Sequence, residues 1–409
     1  MSPDRNLTGC QVFRAEELPS RWDCAPLRSR IELAYGVGLP EADRKQGDVD
    51  VYGSNGLVGS HDLALVSGPG ILVGRKGTIG AVHYAPYPFW PIDTVYYVVP
   101  RAGDDLRFLY YLLDYLPLDV LNAATGVPGL SRRDAYALRG AFPPPDEQAA
   151  IARILDAVDT ALERTRAAVE RTRELRRGLL QQAFEFVGSS EPMKDTDAGR
   201  IPKSWDAIKG REAFLVLTGG CSSVDALTRP RPGTAPDAWF MKVDDFNDPA
   251  NSRTIVRTKI GFLVSENRLF KVLPLRTVVI AKRGAAIMKN RVRTTSVPIS
   301  LDPNLMALQA LRSMRPEFLR LQLEWRNLAR YVESSGVPQL NNKDLYPRYF
   351  LRAPCDRQVE IISMAAAAED FEDALLRTVD VLSQLKKGLM HDLLTGRIRV
   401  GNSSAVAVS

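Results

Sequence analysis

The chain is predicted to be an α+β protein written twice, with two mixed α/β modules joined by two long antiparallel helices forming a coiled coil. Three observations predict this internal, pseudo-two-fold repeat. Gly126-Val127-Pro128-Gly129-Leu130-Ser131-Arg132-Arg133-Asp134 recurs as Gly336-Val337-Pro338-Gln339-Leu340-Asn341-Asn342-Lys343-Asp344, 210 positions on. Each copy precedes a long run with helical apolar spacing. The segments ahead of each copy are short, β-branched and bounded by Gly or Pro, as strands are.

The register holds through both copies. Pro144, Asp146, Gln148 and Ile151 fall on Pro354, Asp356, Gln358 and Ile361, and Leu175-Arg176-Arg177-Gly178-Leu179 falls on Leu385-Lys386-Lys387-Gly388-Leu389. Upstream the offset slips as loop insertions make it slip. Val73-Gly74-Arg75-Lys76-Gly77 pairs with Ile280-Ala281-Lys282-Arg283-Gly284 at 207, and Leu18-Pro19-Ser20-Arg21-Trp22-Asp23 pairs with Ile201-Pro202-Lys203-Ser204-Trp205-Asp206 at 183.

Within the modules, residues 70–74, 94–99 and 277–281 are predicted strands, and residues 106–116 and 316–331 have helical spacing. The helix-breaking Pro143-Pro144-Pro145 marks the entry to the first long helix, with Asp146 expected as its N-cap. Its seam is predicted at Ile151, Leu155, Val158, Leu162, Val169, Leu175 and Leu179. The second helix repeats it at Ile361, Leu375, Val379, Leu382 and Leu389, with Glu372 interrupting where Leu162 sits. The expected organisation is a module over residues 1–145, a helix over 146–187, a linker over 188–200, a second module over 201–354, a second helix over 355–397 and a tail over 398–409.

Composition narrows the function. No uncharged apolar run reaches membrane length, and the start lacks a secretory pattern, so a cytoplasmic protein is expected. Four scattered cysteines and three histidines give no disulfide framework or zinc spacing. The net charge of +6 is unevenly spread: residues 198–354 hold 26 basic against 13 acidic side chains, whereas the first module and both helices are slightly acidic. A solvated basic surface and a phosphate-binding face both fit such a run. Arg75-Lys76 and Arg132-Arg133 could likewise face a phosphate, or Gly74, Gly77 and Gly80 could simply serve a tight strand connection.

Catalytic signatures are missing. Gly74-Arg75-Lys76-Gly77-Thr78 is no P-loop, Gly36-Val37-Gly38 has neither a preceding strand nor a third glycine, and Ala141-Phe142-Pro143-Pro144-Pro145 lacks the polar residue and aromatic of an amino-methyltransferase tetrapeptide. His61 beside Asp62 reads as a surface pair in a polar loop. No nucleophile, base and oxyanion site assemble.

The order of these motifs resembles the specificity (S) subunits of type I restriction-modification systems. The resemblance rests on the duplicated halves, the Tyr52-Gly53-Ser54-Asn55-Gly56-Leu57-Val58-Gly59 loop, and the Gly74-Arg75-Lys76-Gly77-Thr78-Ile79-Gly80 turn leading to Phe89-Trp90-Pro91-Ile92-Asp93-Thr94. The Gly126–Ser131 string and Pro143-Pro144-Pro145-Asp146-Glu147-Gln148 before the helix complete it. The second copy departs at Ala281-Lys282-Arg283-Gly284-Ala285-Ala286 and Pro354-Cys355-Asp356-Arg357-Gln358, which puts the turn's role there in doubt.

The resemblance implies that each module is a target-recognition domain for one half of a bipartite site in double-stranded DNA, and that the helices set the spacer and dock two copies of a modification methyltransferase. No catalysis is expected of this chain. S-adenosylmethionine, ATP and Mg would sit on partner subunits, which in a full complex include restriction and translocase subunits. The residues expected to meet DNA are Arg75, Lys76, Lys282, Arg283, Lys289, Arg291 and Arg293. A stand-alone two-headed DNA-binding regulator and an enzyme with an unrecognised site are the alternatives.

Overall fold

The computed structural model describes residues 13, 16, 18–121, 129–186, 190–218, 224–311, 313–332 and 337–400. Gly126-Val127-Pro128, Gly336, Cys10, Cys221 and the tail beyond residue 400 lie outside these. The chain forms two compact units, Met1–Ala167 with Leu376–Ser409, and Ala168–Leu375.

In the first unit the chain runs through β1 (Asp23–Pro26), β2 (Ile31–Tyr35), β3 (Val49–Gly53), β4 (Gly56–His61), β5 (Gly70–Gly74), β6 (Val82–Ala85), β7 (Phe89–Pro91) and β8 (Val95–Pro100). Helices α1 (Leu106–Tyr115) and α2 (Arg132–Ala137), strand β9 (Arg139–Phe142) and the long helix α3 (Pro145–Glu185) follow. Strands β2-β8-β5-β6 form an antiparallel sheet, β4-β3-β7 a smaller one with β3 and β7 parallel, and β1 pairs with β9. Strand β5 is buried along its whole length because both faces are covered. Ile71 and Val73 pack with Phe108, Leu109 and Leu112 of α1, while Leu72 points the other way onto Phe89 and Val95.

The second unit begins with a hairpin, β10 (Met193–Thr196) and β11 (Gly199–Pro202), inside the segment expected as a linker. Next come β12 (Asp206–Lys209), α4 (Gly210–Ala213), β13 (Phe214–Leu217), β14 (Ala238–Met241), β15 (Thr254–Ile255), β16 (Ile260–Phe262), β17 (Val278–Ala281), β18 (Val292–Thr295), β19 (Ile299–Leu301) and β20 (Leu305–Ala310). Helix α5 (Pro316–Arg326), α6 (Asn342–Leu345), β21 (Tyr349–Arg352) and the long helix α7 (Cys355–Leu394) complete the chain. The sheets repeat the first unit's order as β13-β20-β17-β18 with β15 added, β16-β14-β19 with β14 and β19 parallel, and β12-β21. Val278 and Ile280 again face the α5 core while Val279 faces the smaller sheet.

The duplication reaches individual hydrogen bonds. Leu33 N–H donates to the Tyr136 hydroxyl at 2.9 Å, and Val216 N–H to the Tyr346 hydroxyl at 3.0 Å. Leu130 N–H donates to the Arg75 carbonyl at 2.8 Å, and Leu340 N–H to the Lys282 carbonyl at 2.9 Å. The recurring string therefore has a local cause. Its Leu130 and Leu340 are buried, and Ser131 and Asn341 cap short helices that aim the tyrosines at β2 and β13.

Helix α3 starts at Pro145, so Asp146 stands in its first turn rather than at the N-cap expected for it. Proline is well suited to the first helical position because its missing N–H would have no partner there. Gln148 and Gln358, both buried, tie the helix starts down. Gln148 accepts from Asp105 N–H at 2.8 Å and donates to the Pro143 carbonyl at 2.9 Å; Gln358 accepts from Arg315 N–H at 2.9 Å and donates to the Ala353 carbonyl at 2.8 Å.

Each unit holds the beginning of one long helix and the end of the other, packed antiparallel. In the first unit Ile151 and Leu155 share a core with Met390, Leu393 and Leu394, and Lys386 pairs with Asp159 at 2.8 Å. In the second, Leu180 and Phe184 share a core with Ile361 and Ala365, and Arg173 pairs with Glu372 at 2.6 Å. Glu372, which interrupts the apolar spacing, is thus matched by a cation.

Val158, Leu162 and Val169 are buried, whereas Leu179, Leu375, Val379, Leu382 and Leu389 are half-buried. Leu175 is 60% exposed and is no seam residue. Beyond Val169 the buried positions of α3 run through Thr172, Leu180 and Phe184. Leu175 lies six residues beyond Val169, which at about 100° per residue puts it roughly 120° around the helix from that contact, between the seam positions Thr172 and Arg176 in sequence. No helix among the described residues is long and apolar enough to cross a membrane.

Candidate nucleic-acid interface

In the first unit the glycine-rich turn between β5 and β6 gathers three of the sequence motifs. Gly74 donates to the Ala81 carbonyl and Gly80 to the Gly74 carbonyl, both at 2.8 Å, which closes the turn. A Cβ on Gly74 would meet the Thr78 carbonyl oxygen at 2.0 Å, so no larger residue fits. The Thr94 carbonyl accepts from the N–H groups of Arg75 and Lys76 at 2.9 and 3.1 Å, and Ser54 N–H donates to the Thr94 hydroxyl at 3.3 Å. The loop after Tyr52, the Gly74–Gly80 turn and the Phe89–Thr94 string are therefore one structure.

Arg75 and Arg132 flank Tyr35, their guanidinium carbons 5.0 and 4.4 Å from its ring centre. Tyr35 is 48% exposed, so the group presents an aromatic face between two cations. The guanidiniums are held in place: Arg75 donates to the Asp93 carbonyl at 2.8 Å and Arg132 to the Leu33 carbonyl at 3.2 Å. Beneath them Tyr96 donates to the Leu130 carbonyl, and burial, with the neighbouring Tyr35, pushes its pKa up to about 12. Lys76 lies 3.8 Å from Asp93. Tyr35 is absent from the expected set, whereas Arg132 is expected as able to face a phosphate without standing among the residues expected to meet DNA.

In the second unit the corresponding connection keeps the left-handed glycine but replaces the tight closure with a 3₁₀ turn over Gly284–Ala286. Gly284 has φ +73°, against +76° at Gly77, and Gly284 N–H donates to the Pro338 carbonyl at 2.8 Å. Arg283 is exposed and Lys282 half-buried.

Lys289, Arg291 and Arg293 come together on one cleft of about 630 Å³, which Arg176 and Arg177 of α3 also line, opposite Glu185 and Glu324. Lys289 is exposed and forms no ion pair among the described residues. Arg291 is half-engaged, donating to the Phe246 carbonyl at 2.8 Å and to Asn247 at 2.5 Å. Arg293 corrects the expectation. Its side chain is 15% exposed, bound to the Asn251 carbonyl at 2.8 Å and 3.8 Å from Glu324, and burial lowers its pKa despite that carboxylate. It braces the cleft from within.

Several cations counted toward the basic excess are also spent internally. Arg253 pairs with Asp370 and Asp373, Arg257 with Asp248, and Lys259 with Asp244. Conversely, the double-basic step Arg176-Arg177 belongs to the cleft although the helix as a whole is not basic.

The histidines are structural. His61 is buried at the end of β4, correcting its reading as a surface loop residue. Its Nδ1 accepts from Lys45 N–H at 3.0 Å, leaving Nε2 to face Asp62 at 3.2 Å. Gly36 is explained by crowding, since a Cβ there would meet the Ile92 carbonyl oxygen at 2.1 Å. No group of three His, Cys, Asp or Glu able to hold a metal occurs among the described residues.

The family model of the type I restriction modification DNA specificity domain matches residues 39–171, the stretch that carries the Arg75, Lys76 and Arg132 site. The chain is similar to type I restriction-modification specificity subunits. A protein assigned as the MjaX type I restriction enzyme specificity subunit of Methanocaldococcus jannaschii is 22% identical over 302 residues, 72% of this chain and 68% of that one. The MjaVIII specificity subunit of the same organism is 26% identical over 121 residues, 29% of this chain and 28% of its own. Among solved structures, the type I restriction-modification S subunit from M. genitalium superposes with a TM-score of 0.62 at 17% identity, covering 92% of this chain and 98% of that one. At that identity the superposition speaks for the fold of a specificity subunit, which the duplicated sheets above already describe.

Proposed function

We propose that the chain reads a bipartite, asymmetric site in double-stranded DNA, one half per module, for a type I restriction-modification complex. The observation that carries this reading is one frame bearing two different faces. The hydrogen bonds to Tyr136 and Tyr346 repeat, while Tyr35, Arg75 and Arg132 fall on Thr218, Lys282 and Asn342. Identical scaffolds with unlike exposed side chains suit two unlike half-sites.

The two long helices set the spacer and dock two copies of a modification methyltransferase. Supporting this, Leu175 and its repeat mate Leu385 are 60% and 47% exposed, an apolar pair presented to solvent at the same step of each helix. A surface that occurs twice suits the same partner twice. Arg75, Lys76, Lys282, Arg283, Lys289 and Arg291 are the DNA-facing cations. The chain itself catalyses nothing; S-adenosylmethionine, ATP and Mg belong to methyltransferase and restriction or translocase subunits, and the complex works in the cytoplasm.

Single-molecule sequencing of methylated DNA from the source cells, with and without this gene, tests the reading. A bipartite methylated motif that disappears with the gene is expected. An unchanged methylation pattern would leave the chain as a DNA-binding protein of another kind.

A further inference from the structure

The C-terminal turn of α5 forms a second basic pocket, which shares Trp325 with the cleft at Lys289. Asn327, with φ +64°, ends α5, and its side chain accepts from Ala329 N–H at 3.0 Å, starting a short 3₁₀ turn over Leu328–Tyr331. The reversal holds Arg326 and Arg330 on either side of one hollow. Arg348 arrives from the turn before β21, whose backbone is held by Gly210 N–H donating to the Arg348 carbonyl at 2.8 Å. The resulting pocket of about 370 Å³ is closed by Trp325, Tyr331, Tyr349 and Asp197.

Its charge is unbalanced. Arg326, Arg330 and Arg348 form no ion pair among the described residues, and Asp197, the lining carboxylate, already accepts from the Tyr349 hydroxyl at 2.6 Å. Arg326 is fixed by its bond to the Tyr349 carbonyl and by the rings of Phe350 and Trp325, 5.3 and 5.5 Å away. Tyr331 is 8% exposed, and among the described residues its hydroxyl makes no well-formed hydrogen bond, Arg326 being the cation that acts on it most strongly. Burial raises the pKa of this phenol, and the three guanidiniums offset only part of that, so it remains a protonated donor. A buried hydroxyl without a well-formed bond is costly, and three convergent guanidiniums repel one another; one anion relieves both.

We propose that this pocket is an oxyanion site for a phosphate group, with Arg326, Arg330 and Arg348 supplying charge and forked donors and Tyr331 a further donor. Two sources present that chemistry: a phosphate of the DNA backbone outside the recognised bases, or a free phosphate ligand. The DNA source rests on the DNA-reading function above; the free-ligand source does not.

The test compares the full chain with the double variant Arg330→Ala/Arg348→Ala, both exposed positions, and with Tyr331→Phe. Binding of a labelled duplex of arbitrary sequence is measured against salt, and thermal unfolding is followed with increasing inorganic phosphate. If DNA supplies the phosphate, the double variant lowers the salt slope by about 0.9, the value for the one phosphate the pocket holds. If the ligand is free, the slope holds, phosphate raises the unfolding temperature of the parent chain saturably, and both variants lose that rise. A double variant indistinguishable from the parent in both measurements overturns the site. A parent chain that binds no DNA but is stabilised by phosphate overturns the DNA reading and leaves the site standing.

Discussion

Arg176 of α3 reaches Glu369 of α7 at 2.5 Å in the second unit, and their repeat mates Lys386 and Asp159 meet at 2.8 Å in the first. The same step of the duplicated helix is therefore locked by the same polarity of charge twice. In the second unit this pair has grown into a network. Arg320 grips both oxygens of Glu369 at 2.9 and 3.0 Å, and Glu324 accepts from Arg176 and, at 3.0 Å, from Arg320. Burial alone would raise the Glu369 carboxyl; Arg320, Arg176 and Arg253 reverse that and hold it below its ordinary 4.5.

Replacing Glu369 should unfold the second unit readily. Glu369→Gln leaves the buried Arg320 and Arg176 with Glu324 as their shared carboxylate, and breaking such a buried pair costs about 3–5 kcal/mol. The sign of the pH dependence follows from the lowered pKa. The carboxylate's contribution is fully present above its ordinary pKa and is lost as pH falls through the depressed folded value. Urea unfolding followed across that acid range should therefore show a fall in the parent that is shallower in the variant.

Gln148→Leu and Gln358→Leu should have matching effects in the two units. Gln358 satisfies Arg315 N–H and the carbonyls of Ser313 and Ala353, and the variant strands the buried Ala353 carbonyl with two part-buried groups. A loss of about 1–3 kcal/mol is expected from the buried carbonyl. Hydrogen exchange should localise the loss to the unit carrying the substitution; protection lost equally in both units would contradict it.

Lys289→Ala combined with Arg177→Ala should weaken DNA binding uniformly across sequences and lower its salt slope, because these exposed cations line the cleft without internal partners holding them. Arg293→Ala should instead lower stability, since its guanidinium is braced against Asn251 and Glu324. Parallel measurement of DNA affinity and unfolding midpoint separates the two roles.

Leu175→Glu and Leu385→Glu should leave folding within about 0.5 kcal/mol of the parent, as exposed positions do. Each should remove one docked methyltransferase copy, and the pair both. Mass measurement of the reconstituted complex reads the stoichiometry directly; a double variant that still carries two copies would place the docking surface elsewhere.

Much of this molecule was legible in one dimension. Repetition at offsets of 183, 207 and 210 residues, the strands at Gly70–Gly74 and Val278–Ala281, and two long helices follow from local periodicity and turn chemistry, which act between near neighbours. Even the odd Glu372 in an apolar row announced that something across from it had to differ.

What a charge does, by contrast, depended on contacts far along the chain. Arg291 and Arg293 stand two residues apart on the same strand side of one cleft, yet one caps a loop and the other is buried against Glu324. Leu175 is apolar in sequence but faces solvent in the fold, because it stands six residues after Val169, off the three-and-four spacing that the buried positions of α3 keep. Arg132 joined Arg75 around Tyr35 only when β2, the Gly74 turn and α2 were brought together. Hydrophobic period is a property of consecutive residues and survives reading in order. Pairing of cations with carboxylates is a property of three-dimensional proximity, and it separates the surface charge available to DNA from the charge that holds the protein together.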